Sequence, residues 1–207
     1  MLGAGWYVGT KPRSQSAEAL AEAAKAPAAA ATAGCSAVRE ISPYPHDLDR
    51  AHVGGQVPAL PPLSSYPSTP PASGPHAPSP LDAGAYASPP PIANAIHSLE
   101  HAGVIVWYAP SQAAAGRQLA AFFAKPENSD HVIVAPYSYP SQGPAGSLPN
   151  GVGMAVVAWH KLQTCRVPSL PVAAAFVGKY AGPTGFLPFR FRPRGYQGEA
   201  PEAGFPI

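Results

Sequence analysis

Charge is scarce in this chain. Asp, Glu, Lys and Arg together make up 12% of its 207 residues, and 13 basic against 11 acidic side chains leave a net charge of +2. So balanced a chain gives no electrostatic case for nucleic-acid binding. Cysteine is nearly absent. Cys35 and Cys165 cannot make a disulfide framework; they form one bridge or stay two thiols. Cys35 lies in an Ala-rich segment expected to be mobile, which favours no structural bridge. Long apolar runs are missing as well. Nothing approaches the roughly 18 uncharged apolar residues that a membrane span needs. The apolar start, Met1 to Val8, is too short and lacks the basic opening expected of a signal peptide, and localisation is left open. There is no G-x-x-x-x-G-K loop to cradle a nucleotide and no G-x-S-x-G elbow to present a nucleophilic serine. Cys165 carries no sign of activation.

What is abundant is proline, 29 residues, beside 20 glycines. Together they make about a quarter of the chain, near the level at which aperiodic Pro and Gly signal disorder. Their distribution divides the sequence. Residues 1–40 read as a disordered or weakly helical tail, Ala-rich and with only Leu20 as a large apolar side chain in its 17–25 stretch. Residues 41–93 hold 14 of the prolines and read as an extended arm that cannot enter a sheet interior. Residues 94–181 carry the periodicities of an α+β core, and 182–207 an irregular tail packed on it. Within the core, Val104-Ile105-Val106-Trp107-Tyr108 reads as a buried strand, 131–135 as a second and 153–159 as a third. Ser111 is placed to cap a helix to about residue 125, with Leu119, Phe122 and Phe123 as its apolar stripe. Ser169 opens a last helix through Tyr180, with Pro171 in its first turn. The expected fold class is α+β, a small sheet with two packed helices, preceded by the arm. Trp107, Tyr108 and Trp159 belong to its core.

Chemistry concentrates in the histidines. His97-Ser98-Leu99-Glu100-His101 sets two imidazoles four residues apart. On a helix they share a face and can grip one metal ion; on a strand they stand about 13 Å apart, too far for a common ion. Asn94 and Gly103 are placed to cap and end such a helical turn. His76, after Ser73-Gly74-Pro75, is a third ligand that the arm can carry in. The candidate metal ligands are therefore His76, His97, His101 and Glu100, with Glu100 as fourth ligand or as orienter of an imidazole, and His52 and Tyr86 as further contributors. Imidazole suits zinc and copper alike. Two other readings compete. In one, the histidines are structural and Ser68-Thr69-Pro70-Pro71 and Ser88-Pro89-Pro90-Pro91 dock a protein partner. In the other, His97-x-x-Glu100-His101 matches the H-x-x-E-H string of inverzincin metalloproteases, where Glu100 would activate water.

The blocks Thr69-Pro70-Pro71-Ala72-Ser73-Gly74-Pro75-His76 and His97-Ser98-Leu99-Glu100-His101 resemble, at this spacing, the family known as domain of unknown function 3105. Gly84, Tyr86, Gly103, the strand to Tyr108, Ala158-Trp159 and Pro201-Glu202 extend the resemblance over roughly residues 50–202. It implies that His76, His97, Glu100 and His101 form one shared site, and it supplies no reaction. Family members commonly carry an amino-terminal membrane anchor and an exported domain, and neither is evident here. Where the family has glycine directly after the second histidine, this chain has Ala102, expected to shift the strand register or be absorbed as a bulge.

Overall fold

A computed structural model describes residues 15–182. The expectations for residues 1–14 and 183–207, including the amino-terminal segment and the closing Pro201-Glu202, lie outside the described residues. The chain opens with helices α1 (Ala17–Ala24) and α2 (Ala26–Ala33), followed by the two-residue strand β1 (Arg39–Glu40). A long segment with little regular structure contains β2 (Gly84–Ala85) and leads to α3 (Ile92–Glu100). The core then runs β3 (Val104–Tyr108), α4 (Ala113–Phe123), β4 (Val132–Pro136), β5 (Met154–Ala158), β6 (Lys161–Cys165) and α5 (Leu170–Tyr180). The fold is α+β, built on one mixed sheet of order β1-β6-β5-β3-β4-β2. β3 pairs parallel with β4 across the α4 crossover, and antiparallel with β5.

The strand sequences explain why both faces of the sheet are covered. Alternate side chains of a strand point to opposite faces, and here both sets are apolar. Val104, Val106, Val132, Val134, Met154 and Val156 face one core with Leu119, Phe122, Phe123 and Phe176. Ile105, Trp107, Ile133, Ala135, Ala155 and Val157 face a second core with Ile96, Leu99, Leu63, Tyr66 and Trp159. Helices supply the first cover. The second is α3 together with the segment between β1 and α3, which wraps the sheet as an ordered arm.

Several local expectations need correction. Ser111 does not cap α4: residues 110–112 form a 3-10 turn and Gln112 takes the cap position. The third strand ends at Ala158, and a tight turn through Trp159 and His160 sends the chain back as β6. The Ala-rich stretch is two ordered helices rather than a mobile tail, joined to α5 and the sheet. Leu20, the large side chain one would bury, is 54% exposed while Ala19 is 7% exposed. Small residues let a helix approach its neighbour closely, so the alanines make the contact. Ser16 caps α1 by accepting from the Ala19 amide at 2.9 Å. Gly34, at φ 61°, ends α2 in the left-handed conformation that glycine adopts without strain. The next residue, Cys35, meets Cys165 on β6 and the two form a disulfide. Of the two states left open the bridge is the one formed, against the preference for no structural bridge, because the helix pair is docked and its end is held against β6.

Candidate metal centre

α3 is a helix because nothing in its nine residues opposes one and its apolar side chains Ile92, Ile96 and Leu99 fall on one buried stripe. Pro91, rather than Asn94, stands at its N-cap; Asn94 instead donates to the Ser79 carbonyl of the arm at 2.9 Å. At the other end the Ala102 amide donates to Leu99 O at 3.1 Å and the Gly103 amide to Ser98 O at 2.9 Å. That pair of bonds is the Schellman termination, with Ala102 in the left-handed position at φ 62°. Ala102 thus belongs to the helix cap, and β3 begins at Val104 without a bulge. The helix turn settles the geometry of the histidine motif. His97, Glu100 and His101 share a face, Ser98 accepts from the Leu81 amide of the arm at 2.9 Å, and Leu99 is buried in the core.

The arm delivers the other half. Ser73 donates to Asp49 Oδ1 at 2.6 Å. Gly74 has φ 113°, and a Cβ there would stand 2.8 Å from the Tyr66 ring and 2.9 Å from that of Tyr44, so no larger residue fits. The Pro75 carbonyl accepts from the Tyr66 hydroxyl at 2.5 Å. His76 then enters the interior, wholly buried, with its amide donating to Ala51 O and its carbonyl accepting from the Val53 amide. This ladder sets His52 beside His76, their rings 4.8 Å apart.

His52, His76, His97 and Glu100 thus converge, each offering a donor atom within 4.8 Å of the others. Such a group of three imidazoles and a carboxylate can hold a metal ion. Each of the four has a buried polar atom with no well-formed hydrogen bond: His52 Nε2, His76 Nε2, His97 Nδ1 and Glu100 Oε2. Buried polar atoms are nearly always paired, so four orphans in one place call for a physical reason. His76 makes the problem sharpest. Its Nδ1 lies 2.7 Å from Gly74 O, a contact that requires the proton on Nδ1. In neutral imidazole Nε2 then carries a lone pair, yet it lies 2.9 Å from Glu100 Oε2, another lone-pair atom. Two acceptors face each other in the interior unless a cation or a second proton sits between them.

His101 stands behind His97. Their Nε2 atoms are 2.8 Å apart and their rings are stacked at 4.7 Å, an arrangement in which one donates and the other accepts. Glu100 Oε1 pairs with the Arg50 guanidinium at 3.3 Å, and Arg50 lies over the Trp159 ring. Burial, then the neighbouring imidazoles of His76 and His101, push His97 down to about 4; Glu100 and the Ala77 backbone pull back less strongly. His97 is therefore neutral and available as a donor at neutral pH. For Glu100, burial acts upward, but the His76 imidazole beside it and the Arg50 guanidinium outweigh it and hold the carboxyl below its ordinary value. Tyr86 is not drawn in: its hydroxyl donates to the Asp82 carbonyl.

A family model described as "Protein of unknown function (DUF3105)" matches residues 63–188. The chain belongs to this family. No curated protein matches the chain, and no solved structure does. The DUF3105 match contains His76, His97, Glu100, His101 and Trp159. Asp49, Arg50 and His52 precede it. Sequence reasoning passed over Asp49 and Arg50, although with Asp47 and Asp82 they are the only charged residues between positions 41 and 93. Asp49 fastens the arm: besides Ser73, it accepts from the Tyr44 amide at 2.6 Å and contacts His160 Nε2 at 2.7 Å. Beyond the site, no helix among the described residues is long and apolar enough to cross a membrane.

Proposed function

We propose that this DUF3105 protein binds one transition-metal ion, zinc or copper, through His52 Nε2, His76 Nε2, His97 Nδ1 and Glu100 Oε2, with His101 orienting the His97 ring. The observation that carries this reading is the coincidence of four orphaned buried donor atoms with the four side chains whose donors lie within 4.8 Å of one another. Nitrogen and oxygen donors around zinc stand at about 2.0–2.2 Å, hence about 3.4 Å from each other in a tetrahedron. The donors here lie within 4.8 Å of one another, with His76 Nε2 and Glu100 Oε2 at 2.9 Å, which brackets that spacing. A divalent ion resolves the His76–Glu100 conflict, since both lone pairs then point at positive charge. Three imidazoles with one carboxylate suit zinc and copper. Arg50 on the far oxygen of Glu100 and Gly74 O on the far nitrogen of His76 are the kind of outer hydrogen bonds that fix ligands in place.

The H-x-x-E-H protease arrangement distributes the roles differently. It needs His97 and His101 as ligands and Glu100 free to activate water, whereas here Glu100 faces His76 and His101 contacts His97. The reading therefore assigns binding and structural support of the arm, and no reaction.

The test is metal content by plasma mass spectrometry on protein purified without a histidine tag, beside His76→Ala and Glu100→Gln. About one equivalent of zinc or copper in the wild type, lost in both variants, is the expected result. Absence of stoichiometric metal after reconstitution with each ion in turn would overturn the proposal. The histidines would then be structural, and the function would have to be sought in a protein partner of the arm.

A further inference from the structure

The four donors are not held alike. His76, His97 and Glu100 are 0%, 2% and 1% exposed, and each is anchored by core packing or by backbone on both sides. His52 is half-buried and sits at the start of a small loop, residues 52–57. That loop bonds mainly to itself: Gly55 and Val57 amides donate to His52 O, the Gly54 amide donates to Val57 O, and the His52 amide donates to Gln56 Oε1. A Cβ on Gly54 would meet nothing within 4 Å, so the loop has open space beside it. The Nε2 of His52 is shielded, and its ring packs against those of His76 and His97.

Resting on the metal reading above, we infer that His52 is the exchangeable ligand. The ion enters and leaves beneath the 52–57 loop. When His52 swings out, the vacated coordination position accepts a small monodentate donor from solution, such as an anion of the azide type. Three fixed protein ligands with a fourth position open to water or a small ligand is the arrangement by which protein-bound ions react with molecules from outside. The loop needs no rearrangement of the sheet to open, because its hydrogen bonds are internal apart from the Val53 link to His76.

The experiment uses the full chain loaded with Cu(II), whose d–d spectrum reports its ligands. His52→Ala is expected to retain the ion with a shifted spectrum, to lose it to EDTA about tenfold faster or more, and to bind azide at lower concentration than the wild type. His76→Ala is expected to lose the ion altogether. Gln56→Ala keeps every donor and loosens only the loop; it is expected to speed release while leaving the spectrum unchanged, which guards against a folding defect in the first variant. If His52→Ala loses copper as completely as His76→Ala, or if neither His52→Ala nor Gln56→Ala releases it faster, the inference fails while the metal reading stands. If the wild type takes up no copper, both fail.

Discussion

The two faces of the sheet are covered by different physical means. On one, α1, α2, α4 and α5 lay Ala, Val, Leu and Phe side chains on Val104, Val106, Val132, Val134 and Val156. Helix hydrogen bonds satisfy the backbone, and apolar burial at about 25 cal/mol per Å² supplies the attraction. On the other face, among the described residues, α3 is the one α-helix, beside short 3-10 turns at Leu63–Ser65 and Pro140–Gly146. The arm there has few bonds of its own, and its prolines cannot donate. It buries Ile41, Leu63, Tyr66 and Ala72 in the second core, and its path is fixed by polar contacts: Asp49 to Tyr44, Ser73 and His160, Ser98 to Leu81, and the His–Glu cluster. Both faces bury apolar side chains, but the second relies more on polar pairing to fix its chain path, and the candidate site lies on that side.

That contrast can be broken from the helical side first. Cys35→Ser, or reduction of the native protein, removes a link spanning 130 residues of sequence. The expected loss is about 2–4 kcal/mol in urea denaturation. Exchange protection should fall first in α1 and α2, which as eight-residue helices have little stability alone. Unchanged stability on reduction would mean that alanine packing alone holds that layer.

The arm side answers to Asp49. Asp49→Ala is expected to cost about 1–3 kcal/mol, since it strips three donors of their acceptor. For this carboxyl, burial acts upward, yet the hydrogen bonds from His160, Ser73 and Tyr44 together win and hold it below its ordinary value of 3.8. Its contribution is therefore complete above that ordinary value and is lost as pH falls through the lower folded one. Wild-type stability should show this acid loss and the Asp49→Ala variant should show less of it, measured by denaturation at successive pH values.

The smallest effect concerns the junction of α3 and β3. Ala102 holds a left-handed conformation that costs an L-residue about 1–2 kcal/mol, partly offset by the greater unfolded-state freedom of glycine. Ala102→Gly is expected to raise stability by about 0.5–1 kcal/mol, seen as a higher denaturation midpoint with an unchanged slope. A decrease would show that the buried methyl of Ala102 packs better than its backbone fits.

The same division governs what the sequence discloses. On the helical face, β3, β4 and the stripe Leu119, Phe122, Phe123 are legible because their signals are local and periodic. So are His76, His97 and Glu100, because two short motifs carry them. β6 escapes notice: Lys161-Leu162-Gln163-Thr164-Cys165 has one strong apolar residue and is a strand through its partners on either side. α1 and α2 escape because alanines, not large side chains, make their contact. The convergence of Asp49, Arg50 and His52 on residues far along the chain has no local pattern at all. It depends on how the arm wraps, which only tertiary structure fixes.

The Cys35–Cys165 bridge has a further consequence, one of covalent connectivity. It closes the chain into a ring, and all the residues of the candidate site lie within the closed segment. A protease that severs the arm once therefore opens the ring without dividing the molecule. The two sides of the cut stay tethered through the disulfide, and a nicked arm can refold onto its sheet as part of one molecule until a reductant separates the pieces.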